Sequence, residues 1–411
     1  MSEPQFEPQK TALFLAGGGA RAAYQIGVLQ AIFSLLSETG WPTEKIPFDI
    51  VCGTSAGALN AAAFASRADN FEESITTLLQ IWRELEVEQV YRADSIGVIR
   101  SGARWLSLLS FGWLLRQWHA QPPNSLLDNS PLVGLLHRML DLPRLDAALE
   151  QGMLDALGVS ASSYTAGRHV IFYQTAKNIA PWSRATRMAV RQQIGVDHLL
   201  ASSAIPLIFP AVPLYCDDRC EYFGDGSMRD VAPISPAIHL GASKVLVIGA
   251  GNLGGPQRVF EQFAGYPSLA QIAGHAMSSI FLDGLSSDIE RLNRINATLS
   301  LLTPEQRKLT PLRPVQMLAI TPSQPLDSIA ARHVGSLPLP IRTVLSVIGA
   351  TERRGAALAS YLLFEASYTR SLIELGQIDT LSRRDEVLQF FKHLSSPKNV
   401  QEKHHQSMNI A

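Results

Sequence analysis

Apolar residues gather in short unbroken runs at 11–16 (TALFLA), 48–52, 169–175 (HVIFYQT) and 244–248 (KVLVI). Runs of this length, bounded by turn-forming residues, predict strands buried on both faces. Between the first two runs the period changes. Tyr24, Val28, Leu29, Ile32, Leu35 and Leu36 recur at helical spacing and predict a helix over 22–36, and an Ala-rich stretch predicts another over 56–65. Strand, helix, strand, helix within the first 65 residues is the opening of a wound α/β sheet.

Farther along the pattern is less regular. Residues 71–157 show helical periodicity without a clear strand and read as an insertion or cap, and the Pro-punctuated run 201–213 reads as an ordered loop. Beyond Gly255 the chain reads as mainly helical, over 259–282, 289–302, 341–363 and 385–394, with one strand at 315–320. The two ends, 1–10 and 396–411, are polar and read as tails.

Composition narrows the classes. The 411 residues are 46% hydrophobic and 17% charged, which excludes a disordered chain. With 35 basic and 36 acidic side chains the net charge is −1, and no Lys/Arg run supports nucleic-acid binding. Cys52, Cys216 and Cys220 cannot form a disulfide framework, and Cys216 and Cys220 lack a second Cys/His pair at zinc-site spacing, so neither a metal nor a cofactor is expected. The N-terminal residues lack the apolar core of a secretory signal, and no apolar stretch reaches the ~20 residues of a spanning helix. A cytoplasmic protein is expected.

Two glycine-rich segments carry candidate chemistry. Gly53-Thr54-Ser55-Ala56-Gly57 lies between a predicted strand and a predicted helix. A serine on such a turn projects its hydroxyl, while Gly53 and Gly57 permit the tight backbone, so Ser55 is a candidate nucleophile. Gly17-Gly18-Gly19-Ala20-Arg21 follows the first strand and offers free backbone N–H groups as an oxyanion hole, with Arg21 as a nearby positive charge or a structural clamp. This segment also fits a dinucleotide loop formally. That reading requires an acidic residue at the end of the next strand, where Cys52-Gly53-Thr54-Ser55 stands instead. For the base, none of the ten histidines sits in a distinctive motif, and Asp225 in Gly224-Asp225-Gly226-Ser227 is the other candidate.

A Gly-rich loop with Arg21, then a G-x-S-x-G at Ser55, then a distant Asp225-Gly226 together resemble the patatin-like phospholipase family. Ala23-Tyr24-Gln25-Ile26-Gly27 and Ala201-Ser202-Ser203-Ala204-Ile205-Pro206 add to the likeness. The resemblance implies a three-layer α/β/α sandwich with a mostly parallel sheet over 11–250, and 251–411 as a mainly helical C-terminal extension. It implies a serine lipid acyl hydrolase with a Ser55–Asp225 dyad, an acyl-enzyme, an oxyanion hole at Gly17, Gly18, Gly19 and Arg21, and a phospholipid or related acyl ester as substrate. The alternative is a non-catalytic lipid-binding or interaction protein on the same fold. Two positions depart from the family pattern: Ala22 stands where Gly is common, and Ser227 where Gly or Ala is usual.

Residues 104–118 (RWLSLLSFGWLLRQW) hold three of the six tryptophans, with apolar residues on nearly every side of a helical wheel. The segment reads equally as a buried or homo-oligomer-interface helix and as a lid making peripheral membrane contact, since Trp favours the membrane interface.

Overall fold

The computed structural model describes residues 9–93, 125–216, 218–251, 266–352 and 355–392. Of the tail expected at 1–10, residues 1–8 lie outside the described residues, as do the tail expected at 396–411 and the Trp-rich segment 104–118.

Among the described residues ten strands form one sheet: β1 Thr11–Leu15, β2 Ile50–Thr54, β3 Ala156–Ser163, β4 Arg168–Gln174, β5 Ser183–Arg184, β6 Arg187–Arg191, β7 Val212–Cys216, β8 Arg219–Asp225, β9 Lys244–Ile248 and β10 Gln316–Ile320. The spatial order is β10-β9-β1-β2-β3-β4-β6-β5, with β8 also pairing β3 and β7 pairing β8. From β10 to β3 every pair is parallel, which places the loops after β1 and β2 at one edge of the sheet. β4 and β8 both run antiparallel to β3.

Every residue of β1, β2 and β9 is buried, which accounts for their uninterrupted apolar runs. Alternate side chains feed opposite layers, as a two-residue period requires. Leu13, Leu15, Leu246 and Ile248 join one core with α1 (Ala23–Glu38), α2 (Ala56–Ala65) and α3 (Phe71–Arg83). Ala12, Phe14, Val245 and Val247 join the other core with Leu285 and Leu292 from the helix Gly284–Ser300. The result is a three-layer α/β/α sandwich, as expected.

Several elements differ from the sequence reading. β3 begins inside the segment read as strand-free, because its small residues (ALGVSASS) carry no strong apolar run although all eight are buried. The region read as an ordered loop begins at the end of a helix, Val196–Ser202, and finishes inside β7. The helix predicted over 341–363 is two, Leu339–Val347 and Ala356–Leu362, separated at Gly349, whose φ of 83° breaks the helical path. Ala366–Ser382, not anticipated, packs its Gly376 directly onto α1 at Gly27 and Tyr24. The strand read at 315–320 is present as β10, and it extends the central sheet beside β9.

Candidate active site

β2 ends where α2 begins, and Ser55 is the hinge. Its φ of 57° and ψ of −134° lie outside the regions a side chain favours, a conformation costing ~1–3 kcal/mol that surrounding contacts must hold. Those contacts are visible. The Ser55 N–H donates to Ser202 Oγ at 2.9 Å, and the Ser55 carbonyl accepts from Ala58 N–H at 2.8 Å. A side chain at Gly53 would strike the Gly57 carbonyl, and one at Gly57 would strike the Leu15 and Ala16 carbonyls of the neighbouring strand end. Both glycines are therefore demanded by the turn.

Asp225 closes β8, opposite Ala161 of β3. Its Oδ2 accepts the Ser55 hydroxyl at 2.5 Å and its Oδ1 accepts the Ser227 N–H at 2.9 Å. Both side chains are buried. Burial pushes the Asp225 carboxyl up to about 6, against the pull of donors from Ser55 and Ser227. No histidine among the described residues bonds to either member of the pair. His198 instead accepts the Gly195 N–H at 3.1 Å, and His169 lies 3.8 Å from the Asp230 carboxylate. Asp230 sits beneath the elbow, accepts the Thr54 hydroxyl at 3.4 Å, and is pushed by burial up to about 7. Cys52 is core, its thiol pushed by burial up to about 12.

The glycine loop lies against the nucleophile: a Cβ on Gly17 would stand 3.0 Å from Ser55 Cβ. Among the described residues the N–H groups of Gly17 and Gly18 have no protein acceptor. Gly19, at φ 55°, passes so close to the Tyr361 carbonyl that no side chain fits. Arg21, grouped with the oxyanion loop from sequence, has its donors engaged elsewhere. Its N–H bonds the Gly18 carbonyl at 3.1 Å, its guanidinium bonds Ser360 Oγ at 2.7 Å, and it lies 3.9 Å over the Tyr361 ring. These contacts join the glycine loop to the helix Ala356–Leu362. Ala22 is fully buried.

Three positioning groups escaped the sequence reading as functional residues. Ser202 was seen only as part of a motif. Gln25 donates to the Ala16 carbonyl at 2.7 Å, just before the glycine loop, and accepts from Asn60 at 2.9 Å. Asn60 in turn accepts from Trp82 Nε1 at 2.8 Å. This buried chain ties the loop to α2 and α3, through contacts that no local pattern of the sequence marks.

From Ser55 an apolar pocket of about 510 Å³, its open mouth included, runs between Leu59, Trp82, Leu135, Met139, Ile205 and Phe209. A hydroxyl paired with a buried carboxylate at the head of such a pocket suits attack on an ester of a hydrophobic acid.

Known proteins share parts of this chain. The lysophospholipase nte1 of Aspergillus terreus is 46% identical over 61 residues, 15% of this chain and 3% of that protein. The uncharacterized protein YjjU of Escherichia coli is 28% identical over 118 residues, 29% of this chain and 28% of that protein. The matches thus span well under two thirds of either relative. Among solved structures, VipD from Legionella pneumophila has a TM-score of 0.32 and 16% identity, over 89% of this chain and 67% of that one. ExoU from Pseudomonas aeruginosa, in a structure with SpcU, has a TM-score of 0.24 and 16% identity, over 86% and 71%. The family profile described as patatin-like phospholipase matches residues 13–238, from β1 past the Asp225 turn. Because that match takes in more than half of the chain, including the glycine loop, the Ser55 elbow and Asp225, the chain belongs to the patatin-like phospholipase family.

Proposed function

We propose that this protein is a serine lipid acyl hydrolase of the phospholipase A or lysophospholipase type. The observation that carries the reading is the 2.5 Å bond between Ser55 Oγ and Asp225 Oδ2 at the head of the apolar pocket. An acyl chain lying along Leu59 and Met139 would place its ester carbonyl at Ser55. Asp225 takes the hydroxyl proton as Oγ attacks the carbonyl carbon, and the carbonyl oxygen becomes an oxyanion. The unpartnered N–H groups of Gly17 and Gly18 are the donors for that charge, each well-placed one contributing ~3 kcal/mol. Collapse returns the proton to the departing alcohol and leaves an acyl-Ser55. Asp225 then takes a proton from water, whose oxygen attacks the acyl carbon, and the fatty acid leaves as Ser55 recovers its hydrogen.

Burial suits Asp225 to this work. A carboxylate of ordinary pKa, ~3.9, is a weak base for a hydroxyl. Raised to about 6, Asp225 remains ionised at neutral pH yet holds a proton more readily during the reaction. Arg21 serves as the clamp that fixes the glycine loop against the helix Ala356–Leu362.

The test is covalent labelling by a fluorophosphonate together with hydrolysis of a panel of phospholipids and lysophospholipids. Wild-type protein should label and hydrolyse, while Ser55→Ala abolishes both and Asp225→Asn lowers turnover by at least ~10²-fold with the melting transition retained. A folded Asp225→Asn protein with near-normal turnover would overturn the dyad.

A further inference from the structure

An ester held for attack carries two groups away from its carbonyl carbon, and the pocket at Ser55 accounts for one of them. That pocket draws Leu59, Trp82 and Met139 from the core on the α1–α3 side of the sheet. A second cavity, of about 260 Å³ with its open mouth included, lies toward the other layer. It is lined by Gly17, Thr54, Ser227 and Asp230, and by Phe14 and Leu285 of the opposite core. The two cavities flank the glycine loop: Gly19 lines the first and Gly17 the second. The second one reaches the nucleophile, since a Cβ on Gly17 would overlap Ser227 Oγ and stand 3.0 Å from Ser55 Cβ. It also lies beside the base, because the N–H of Ser227 donates to Asp225 Oδ1 at 2.9 Å. The departing oxygen takes its proton from Asp225, so the alcohol must leave on that side.

We propose that this second cavity is the subsite for the alcohol portion of the ester, and that it takes a compact neutral polyol such as glycerol, with a hydroxyl of that alcohol bonded to the Asp230 carboxyl. The proposal rests on the acyl-hydrolase reading of Ser55 and Asp225. Asp230 has accepting capacity to spare. Its Oδ2 accepts the Thr54 hydroxyl at 3.4 Å, while its buried Oδ1 has no hydrogen-bond partner among the described residues and lies 3.8 Å from His169. A buried acceptor without a donor is costly, and a ligand hydroxyl supplies the donor. The lining also says which alcohol fits. Among the described residues no Lys or Arg borders the cavity, so a phosphate there would face Asp230 without a compensating charge. A hydroxylated carbon chain meets no such penalty and can rest its carbons on Phe14 and Leu285. The charged group of a phosphate-bearing substrate therefore belongs outside this space. Once the alcohol has left, the acyl chain still fills the first pocket, and the attacking water enters where the alcohol stood.

The deciding measurement is kcat/KM for the methyl, propyl and glyceryl esters of one medium-chain fatty acid, with fluorophosphonate labelling alongside. The full chain is used as wild type, Asp230→Leu, Asp230→Asn and Ile280→Trp. Propyl and glyceryl esters match in carbon number and differ only in hydroxyls. The wild type should prefer the glyceryl ester over the propyl ester by about tenfold, and Asp230→Leu should erase that preference. Asp230→Asn keeps an oxygen acceptor and should restore most of it. Ile280 lines the cavity and is half-buried, so Ile280→Trp fills the space and should lower the glyceryl-to-methyl ratio of kcat/KM about tenfold. Should Asp230→Leu not fold, Ile280→Trp decides alone. A preference that survives in folded Asp230→Leu, or a glyceryl-to-methyl ratio unchanged in Ile280→Trp, overturns the proposal while continued labelling and propyl-ester hydrolysis leave the acyl-hydrolase reading intact. A wild-type protein that neither labels nor hydrolyses any of the three esters overturns that reading, and the proposal falls with it.

Discussion

Ser55 and Asp225 lie 170 positions apart and meet through one hydrogen bond, so the chemistry of the site is a matter of single-atom placement. Ser55 was legible because its signals are local: a strand, two glycines and a helix start. Asp225 had no such local mark, since Asp-Gly is an ordinary turn. The pairing of β8 with β3 is what brings it to the elbow. Burial gives this residue a measurable signature. The general base must be ionised, so kcat/KM should fall as pH drops through about 6, and a profile flat to pH ~4.5 would contradict that assignment. Asp230 makes a separate prediction about stability. Its folded pKa, about 7, lies above the ~3.9 of an unfolded carboxylate, so its stabilising contribution is complete below ~3.9 and is lost as pH rises toward 7. Asp230→Asn should remove that slope, leaving a melting temperature less sensitive to pH between ~4 and 7 than in the wild type.

At the scale of elements, parallel central strands and amphipathic helices were readable because burial imposes their period. β1, β2, β9, α2 and the sheet end at β10 lie at or near their predicted positions. The failures share a cause. β3 is built from small residues that neighbours bury along its whole length, and β8 from mixed polar ones of which only Glu221 and Phe223–Asp225 are buried, so neither carries a local apolar run. The helix Ala366–Ser382 was missed for the same reason, since it buries an unusual face. Gly376 meets Tyr24 and Gly27 of α1, and Gly27 meets the Ile373 carbonyl, so the two backbones approach too closely for side chains. Gly27→Val and Gly376→Val should each destabilise the protein by ~1–3 kcal/mol in chemical denaturation, because overpacking must push the helices apart. Equal stability in both variants would show that this contact is not tight in solution.

For the whole molecule, the segment after residue 250 shares the sheet and the core of the segment before it. β10 pairs with β9, Arg21 binds Ser360, Tyr24 donates to Asp379 at 3.0 Å, and Thr369 donates to the Trp82 carbonyl at 2.6 Å. A chain ending at residue 250 would expose α1 and one edge of β9, and we expect it to be insoluble or to lack a cooperative thermal transition by circular dichroism. A cooperative melt of that fragment would establish an independent N-terminal domain. No helix among the described residues is long and apolar enough to cross a membrane. Apolar side chains of the described residues gather in the two cores flanking the central sheet and in the pocket at Ser55.

The sequence by itself determined the wound α/β class, the serine elbow and the glycine loop, because each arises from residues close in the chain whose periodicity or conformational freedom is local. Tertiary structure decided which carboxylate meets Ser55, how Ser227 and Asp230 surround it, and that Arg21 reaches Ser360. Those outcomes depend on strand register and on burial, which is a property of the packed molecule: a carboxyl acquires its altered proton affinity only after the sheet has closed around it.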